Sequence, residues 1–217
     1  MSRYDVGNSI STLAMARTQA SDHQLQRDEI LERAAQAFAN HSYPGTSMSL
    51  LAKTCGTSKA RLYHYYASKE AILFDLLDRY TRGLIVLAER HADLANLIAA
   101  FLAEYEHSQT RHIALLNDVK FLEAPQRELI LNAQRTIVNL FAAAIQRRFP
   151  KRTDAQNRSA ITMLLFGMIN WTFTWLKPLQ DADKMSYADF AVLVTQIFMH
   201  GMEALPELPE NPGSTGN

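Results

Sequence analysis

Residues 46–69 carry four basic side chains and no acidic one, whereas the whole chain has 22 Lys and Arg against 22 Asp and Glu. The four are Lys53, Lys59, Arg61 and Lys69. Lys and Arg neutralise phosphates, and their long side chains also reach guanine acceptor atoms in the major groove of DNA. The local excess of positive charge therefore indicates a surface that binds a nucleic-acid backbone.

The spacing within this segment predicts two short helices joined by a tight turn. A side chain larger than methyl at Ala52 would force the helices apart, and Gly56 can adopt the left-handed conformation that ends the first of them. The side chains expected to face inwards are Leu51, Cys55, Leu62 and Tyr65. The side chains left outside form a set suited to reading DNA: Ser58, Lys59, Arg61, Tyr63 and His64. This arrangement is typical of a helix-turn-helix.

Helical periodicity continues on both sides of this motif. Apolar residues from Ile30 to Phe38 predict a first helix that ends ahead of Pro44. Thr46 or Ser47 is expected to cap a second helix, which runs through residue 54, and Ser58 to cap a third. A fourth helix is expected to open at residues 67–70. Three helices would then surround one small core before residue 70.

The rest of the chain also reads as helix, without a run of alternating strand residues. The predicted helices cover residues 84–107, 110–122, 126–148, 155–177 and 186–204, and prolines follow several of them. We therefore predict an all-α fold, with an N-terminal three-helix helix-turn-helix domain and a larger helical bundle for ligand binding and dimerisation. The expected ranges are a flexible arm at 1–22, the DNA-binding domain at 23–70, the bundle at 71–205 and a disordered tail at 206–217.

The segment from about residue 27 to residue 80 resembles the N-terminal domain of the tetracycline-repressor (TetR) family. Its landmarks stand here as Thr46-Ser47-Met48, Ala52, Gly56, Ser58, Leu62-Tyr63, Tyr65-Tyr66 and Ser68-Lys69-Glu70. Thr57 and Tyr66 depart from the residues that are usual in the family. The resemblance implies a homodimeric transcriptional regulator that binds a pseudo-palindromic operator in double-stranded DNA.

The resemblance also implies roles for individual residues of the motif. The residues expected to hold phosphates are Thr46, Ser47, Tyr63 and Lys69, and those expected to face base edges are Lys59, Ala60, Arg61 and His64. Hydroxyl groups at helix starts suit phosphate, and cations on the third helix suit guanine. The alternative for Lys59 and Arg61 is a solvated basic face, and for His64 it is packing or phosphate contact.

Two late helices carry more apolar residues than a small bundle needs. We expect them to form the dimer interface, through Ile161, Leu164, Leu165, Met168, Ile169, Phe190, Leu193, Val194, Ile197 and Phe198. The alternative is that these residues belong to the core of a single chain.

Residues 164–175 combine a glycine, an amide and two indoles in an apolar run. Asn170 needs a hydrogen-bond partner there, and Trp171 with Trp175 could wall a flat cavity. The run resembles TetR-type regulators of fatty-acid, steroid and phenylacetate breakdown, which respond to acyl-CoA thioesters. The candidate cavity residues are His112, Asn117, Phe121, Phe166, Asn170, Trp171 and Trp175, with ordinary core packing as the alternative.

A cluster of cations lies near Phe149 and Pro150. Arg147, Arg148, Lys151 and Arg152 are candidates for the phosphates of an acyl-CoA, and the alternative is that they offset a helix dipole. A drug-like or aromatic inducer of an efflux regulator also remains open. A site for a cationic drug would need acidic side chains, and the candidates are Glu104, Glu106, Asp118 and Glu123.

An enzyme is disfavoured, since the sequence lacks catalytic and metal-binding motifs and its single cysteine, Cys55, falls within the helix-turn-helix. No cofactor or metal is expected. A protein-binding adaptor would explain the apolar stripes but not the basic third helix. Without an apolar leader or an apolar run of about 18 residues, we expect a cytoplasmic protein without a membrane partner.

Overall fold

The computed structural model describes residues 6–176 and 185–208, with side chains described from residue 22 onward. All regular structure in those ranges is helical. This confirms the predicted all-α fold class. The chain divides into two compact units, one of residues up to Leu76 with Lys120–Leu122, the other of Leu77–Val119 with the residues from Glu123 on.

The first unit contains three helices and the start of a fourth. These are α1 (Val6–Gly45), α2 (Met48–Thr54), α3 (Lys59–Tyr65) and the first residues of α4 (Lys69–Arg90). Helix α1 is interrupted at Ser42, whose φ of 61° is not helical, just before Pro44. The interruption falls where the sequence predicted the first helix to end.

Helix α1 begins earlier than the sequence predicted. Residues 1–22 were expected to form an irregular arm because they hold few large apolar groups, yet α1 extends back to Val6. Between Val6 and Ser42 the chain contains one glycine, Gly7, and no proline. Low hydrophobicity does not prevent a helix when Ala, Leu, Met, Arg and Gln supply the propensity.

The core of the first unit draws on all four helices. Its buried side chains include Leu31, Ala34, Phe38, Leu51, Ala52, Leu62, Tyr66, Ile72 and Leu73. The sequence predicted Tyr65 as the inward tyrosine, but Tyr66 is 3% exposed and Tyr65 is half-buried. Helix α3 ends at Tyr65, whereas Tyr66 has an extended backbone (φ −141°, ψ 121°). The two side chains therefore point in different directions.

The buried Tyr66 hydroxyl is part of a polar network that joins three elements. It donates to the Asp75 carboxylate at 2.6 Å and accepts from Arg27 Nε at 3.3 Å. Arg27 also pairs with Asp75 at 2.7 Å. Burial raises the pKa of Tyr66, so this hydroxyl keeps its proton. The network thereby ties α1 to α4 through the residue that follows α3.

The second unit begins within α4 and adds six α-helices and part of a short 3-10 helix. The helices are α5 (Leu94–His107), α6 (Gln109–Asn117), α7 (Ala124–Arg148), α8 (Arg158–Asn170), α9 (Thr172–Trp175) and α10 (Tyr187–Ala204), and the 3-10 helix is Val119–Phe121. Helix α5 packs against α6, α7 and α10. Its Phe101 is fully buried, with its ring centroid 4.8 Å from that of Phe141.

Two long helices of the sequence prediction are divided in the structure. The predicted helix 84–107 is split between α4 and α5, because Asp93 caps α5 by accepting the Asn96 N–H at 3.0 Å. The predicted helix 155–177 is interrupted at Trp171. The Thr172 hydroxyl there donates to the Ile169 carbonyl at 2.9 Å and competes with the helical hydrogen bonds.

We expect Gly56→Ala to lower the free energy of unfolding by about 1 kcal/mol, because Gly56 has φ 63°, where any Cβ is strained. A matched control is Gly83→Ala in α4, where an added Cβ meets nothing within 4 Å. Alanine is the better helix former, so this change should raise stability by about 0.5–1 kcal/mol. Urea denaturation measures both, and effects of the same sign would contradict the strain at Gly56.

Candidate DNA-binding surface and ligand cavity

The turn between α2 and α3 has the geometry that a helix-turn-helix requires. The Gly56 N–H donates to the Lys53 carbonyl at 3.1 Å, and the Thr57 N–H donates to the Ala52 carbonyl at 2.9 Å. Ala52 is 4% exposed, as expected for the small residue where two helices approach closely. The positive φ of Gly56 reverses the chain after α2. The turn therefore fixes the direction of α3 relative to α2.

Helix α3 presents most of the predicted DNA-reading set to solvent. Ser58 is its N-cap and accepts the Arg61 N–H at 3.1 Å. The exposed residues along it are Lys59, Ala60, Arg61, Tyr63 and His64. The Lys59 ammonium lies 5.9 Å from the centre of the Tyr63 ring. Leu62 is the buried residue that holds this helix on the core.

Arg61 and His64 lie towards helix α1. Arg61 lines a groove with Glu29 and Arg33 of α1. The His64 ring lies edge-on to the His23 ring of α1, with the ring centroids 6.4 Å apart. These two side chains therefore lie at the border of the exposed α3 surface.

Two residues expected to hold phosphates are bound internally instead. Thr46 is 1% exposed, and its hydroxyl donates to the Ser42 carbonyl at 2.8 Å. The Lys69 ammonium donates to the Tyr43 carbonyl at 2.7 Å and lies 4.1 Å from the centre of the Tyr43 ring. Both side chains stabilise the segment between α1 and α2, so the structure does not support the phosphate roles predicted for them.

Ser47 has the exposed position that Thr46 lacks. It is the N-cap of α2, and its hydroxyl accepts the Leu50 N–H at 3.1 Å. The sequence left the cap open between Thr46 and Ser47, and the structure selects Ser47.

The second unit contains a cavity of about 260 Å³ that draws on five helices, α4 to α8. It is lined by Leu84, Tyr105, His112, Leu115, Leu116, Gln134, Ile137, Val138, Met163, Phe166 and Asn170. None of these eleven carries an acidic or a Lys or Arg side chain. Leu116 and Met163 are 37% and 54% exposed, so the cavity opens to the surface beside them.

His112 is the most unusual residue of the cavity. It is 3% exposed, and its ring stacks on Tyr105 with the centroids 3.8 Å apart. Its Nδ1 lies 3.4 Å from the Tyr80 hydroxyl, whereas Nε2 is buried without a hydrogen-bond partner among the described residues. Burial lowers the pKa of His112 to about 4. An unpaired buried polar group of this kind costs about 1–3 kcal/mol.

Asn170 has the partner that its apolar surroundings demanded. The Tyr105 hydroxyl donates to Asn170 Oδ1 at 3.0 Å. Because Tyr105 also stacks on His112, the three side chains form one polar group in an otherwise apolar wall. Tyr105 was not predicted from the sequence as a cavity residue. The feature that could have indicated it is a single hydroxyl on the buried face of α5, beside Leu102 and Phe101.

Four of the seven predicted ligand residues lie outside this cavity lining. Asn117 is exposed, and Phe121 is 36% exposed and stacks on Tyr43 with the centroids 5.0 Å apart. Trp171 and Trp175 are 64% and 50% exposed. The interruption at Trp171 ends α8 and breaks the helical spacing on which the predicted indole wall depended. His112, Phe166 and Asn170 are the predicted residues that line the cavity.

The cations of residues 147–152 have partners within the chain. The bonds join Arg147 to the Ala92 carbonyl (3.0 Å), Arg148 to Glu203 (3.4 Å), Lys151 to Glu207 (3.5 Å) and Arg152 to the Leu205 carbonyl (3.0 Å). None of the four lines the cavity. The contacts of Arg148, Lys151 and Arg152 hold the end of α10 and the residues after it against the end of α7, which favours a structural role over a phosphate site.

The predicted interface residues separate into two faces. Most are buried within the chain, as the alternative reading expected: Ile161, Leu165, Ile169, Phe190, Val194 and Phe198. Leu164, Leu193 and Ile197 are exposed by 68%, 37% and 54%. Trp171 and Val192 add to the exposed apolar surface at the C-terminal end of α8 and on α10. Both helices thus present an apolar face to solvent.

The acids considered for a cationic ligand do not line the cavity either. Glu104, Glu106, Asp118 and Glu123 are all absent from its lining. In the part of the chain that the structure describes, no three His, Cys, Asp or Glu side chains are grouped as metal ligands would be. No helix there has both the length and the apolar character to cross a membrane.

The buried His112 gives a testable pH dependence. Its pKa is about 4 when folded and near 6.5 when unfolded. Between these values only the unfolded chain binds the proton, so the free energy of unfolding falls as the pH drops from 6.5 to 4. The loss should approach about 3 kcal/mol. Denaturant titrations of wild type and His112→Phe across this range should diverge, and parallel pH profiles would contradict the burial of a neutral imidazole.

Comparisons with known proteins agree with this architecture. The family model for bacterial regulatory proteins of the tetR family matches residues 30–76, and that for the tetracyclin repressor-like C-terminal domain matches residues 88–202. The transcriptional repressor KstR2 of Mycolicibacterium smegmatis is 33% identical over 92 residues, which are 40% of this chain and 45% of that protein. The chain spans 45% or less of the length of three curated relatives that it matches.

Solved structures match over nearly their whole length. A TetR-family regulator from Bordetella parapertussis superposes with a TM-score of 0.74 at 33% identity, over 84% of this chain and 98% of that one. AibR, solved in complex with isovaleryl coenzyme A and operator DNA, shares the fold with a TM-score of 0.66 at 22% identity, over 80% and 98%. The chain therefore belongs to the tetR family of bacterial regulatory proteins, which are transcriptional regulators and not enzymes.

Proposed function

We propose that this protein is a homodimeric repressor that binds a pseudo-palindromic DNA operator in the cytoplasm and is released by a small-molecule inducer. The observation that carries the proposal is the exposed, acid-free surface of α3, supported on its core by Leu62. In this proposal residues 23–70 bind DNA, and residues 71–205 bind the inducer and form the dimer.

We assign the DNA contacts by exposure and chemistry. Lys59, Ala60, Arg61 and His64 face base edges, while Tyr63 and Ser47 contact phosphates. Ser58 fixes the start of α3, where the backbone N–H groups and the positive end of the helix dipole favour an anion. One such helix reads few base pairs, so the operator must engage a second copy.

The proposed dimer interface is the exposed apolar face of α8 and α10. Leu164, Val192 and Ile197 are each more than half exposed there. Monomeric proteins rarely present so many neighbouring apolar side chains to water. Covering this face with the same face of a second copy places the chain in a twofold dimer that matches a palindromic site.

The inducer is assigned to the cavity formed by α4 to α8. An acyl-CoA thioester is the candidate class, supported by the apolar lining and by the shared fold with AibR, which was solved with isovaleryl coenzyme A. A drug-like ligand of an efflux regulator is the alternative. A cationic drug would find no carboxylate in the lining, which favours the first class.

Helix α4 is the proposed route from inducer to DNA. It begins at Lys69 in the first unit and carries Leu84 on the cavity wall, one turn beyond Tyr80, which bonds to His112. An inducer that prefers the geometry off the DNA by about a hundredfold shifts the equilibrium by roughly 2.7 kcal/mol per site.

The direct test is an electrophoretic mobility shift with the DNA that flanks the protein's own gene. The same complex is then exposed to a panel of acyl-CoA thioesters, their free acids and coenzyme A. Release by one thioester alone supports repressor and ligand class together. A specific complex that no thioester disturbs would remove the ligand class, and absence of a specific complex would count against the operator proposal.

Two substitutions in α3 should separate phosphate contact from base reading. Tyr63→Phe should weaken binding to all DNA sequences about equally, because it removes one phosphate contact. Lys59→Ala should also relax the preference at one base pair, by about 1–3 kcal/mol. Arg135→Ala, which removes an exposed cation of α7, is the control and should leave DNA binding unchanged. Identical specificity profiles for wild type and Lys59→Ala would remove Lys59 from the base-reading set.

The interface is tested by placing a charge on α8. Leu164→Glu should convert the dimer to a monomer at micromolar concentration, because Leu164 is 68% exposed in the single chain and becomes buried in the dimer. Leu129→Glu is matched in chemistry, since Leu129 of α7 is 58% exposed outside this face, and it should remain dimeric. Sedimentation velocity measures both, and an unchanged Leu164→Glu dimer would rule out this interface.

A further inference from the structure

The His112 imidazole presents an unused nitrogen at the cavity wall. Its Nδ1 is next to the Tyr80 hydroxyl, at 3.4 Å, and Tyr80 is itself only 5% exposed. Its Nε2 is buried and has no hydrogen-bond partner among the described residues. Buried polar atoms in native proteins are almost always paired, with protein, water or a ligand. The nitrogen is therefore available to a polar atom of a bound molecule.

The Tyr80 hydroxyl determines what Nε2 can offer. A buried phenol needs an acceptor for its proton, and His112 Nδ1 is the neighbouring ring nitrogen. When Tyr80 donates to Nδ1, the imidazole proton is on Nε2, since a neutral imidazole carries only one. With its pKa lowered to about 4, the ring is neutral at physiological pH. Nε2–H is then a neutral donor, and its partner must be an acceptor.

Asn170 offers a second donor in the same wall. Its Oδ1 accepts the Tyr105 hydroxyl at 3.0 Å, so the amide nitrogen is the end that remains for a ligand. Tyr105 stacks on His112 with the ring centroids 3.8 Å apart, so one side chain contacts both residues that carry these donors. Two donors in one wall match the two lone pairs of one carbonyl oxygen.

Charge and size narrow the ligand further. The lining has no Lys or Arg, so a carboxylate would enter without a counter-charge, at a high desolvation cost. A cavity of 150 Å³ takes benzene, so one of about 260 Å³ takes roughly ten non-hydrogen atoms. The exposed Leu116 and Met163 leave an opening through which a larger carrier group can extend into solvent.

We propose that this cavity, taken as the inducer site of the function proposed above, binds the carbonyl oxygen of a compact, neutral acyl thioester through His112 Nε2–H and the Asn170 amide, and discriminates against the corresponding free acid. The acyl group fills the apolar part of the cavity beside Phe166. The carrier of the thioester lies outside the opening. Specificity then comes from the charge of the ligand as well as from its shape.

The test uses thioesters without phosphates, so that binding reports on the cavity alone. Isovaleryl and phenylacetyl thioesters of N-acetylcysteamine, and the two free acids, are titrated into the full-length protein by calorimetry at pH 7.5. We expect each thioester to bind at least about tenfold more tightly than its acid, a difference of about 1.4 kcal/mol. Equal dissociation constants for thioester and acid, or no binding of either thioester, would overturn the proposal.

Substitutions assign the effect to the two donors. His112→Phe should raise the dissociation constant of the thioester at least about tenfold and leave that of the acid nearly unchanged. His112→Gln, whose amide can place an N–H near the former Nε2, should recover part of the loss. Leu129→Met, on an exposed part of α7 outside the cavity lining, keeps the volume and is the control. Should His112→Phe fold poorly by circular dichroism, Asn170→Leu provides the same comparison. Unchanged thioester binding in these variants would overturn the proposed hydrogen bonds to the thioester carbonyl.

Operator binding measured on the same preparations separates this inference from the function on which it rests. Suppose that wild type forms a specific DNA complex that other compounds release, while thioester binding does not depend on His112. That result would keep the repressor proposal and rule out the hydrogen bond from His112 to the thioester carbonyl. If thioester binding depends on His112 but the protein forms no specific DNA complex, the carbonyl contact is kept and the repressor proposal is ruled out.

Discussion

Helix α4 must contribute buried side chains to two separate cores, and much of the structure depends on this double role. Ile72 and Leu73 are fully buried in the first unit, while Leu77 and Leu84 are buried in the second. Close-packed interiors respond to a displaced helix by repacking between discrete arrangements, because they do not deform continuously. In the function proposed above, α4 couples a change in one core to a change in the other.

Two polar groups are built on this helix, one in each unit. In the first unit, Asp75 accepts from Tyr66 and Arg27, and this network closes the small core around α3. In the second, Tyr80 lies beside His112 at the cavity wall. The first group is complete, whereas the second leaves one buried nitrogen without a hydrogen-bond partner among the described residues. Completed networks rigidify a structure, and an incomplete one marks a place where binding changes its energy.

The two surfaces proposed for macromolecular contact differ in how the chain prepares them. The α3 surface is polar and basic, and it depends on a positive-φ glycine and two N-caps that require no distant residue. The face of α8 and α10 is apolar, and it is defined only by what the rest of the second unit leaves uncovered. In the proposed function, positive charge attracts the first surface to phosphates, and burial of apolar area stabilises a dimer through the second.

The sequence by itself determined the all-α class, the helix-turn-helix and the cap at Ser58, because these features rest on spacing within a few turns of chain. Tertiary structure decided what the same residues are available to do. Thr46 and Lys69 had the chemistry for phosphate, but neighbouring carbonyls bind them. The cavity brings together side chains from five helices, and a polar residue such as Tyr105 gains its role only from neighbours distant in sequence. Periodicity shows that a face is buried, whereas the partner across that face depends on how the helices pack.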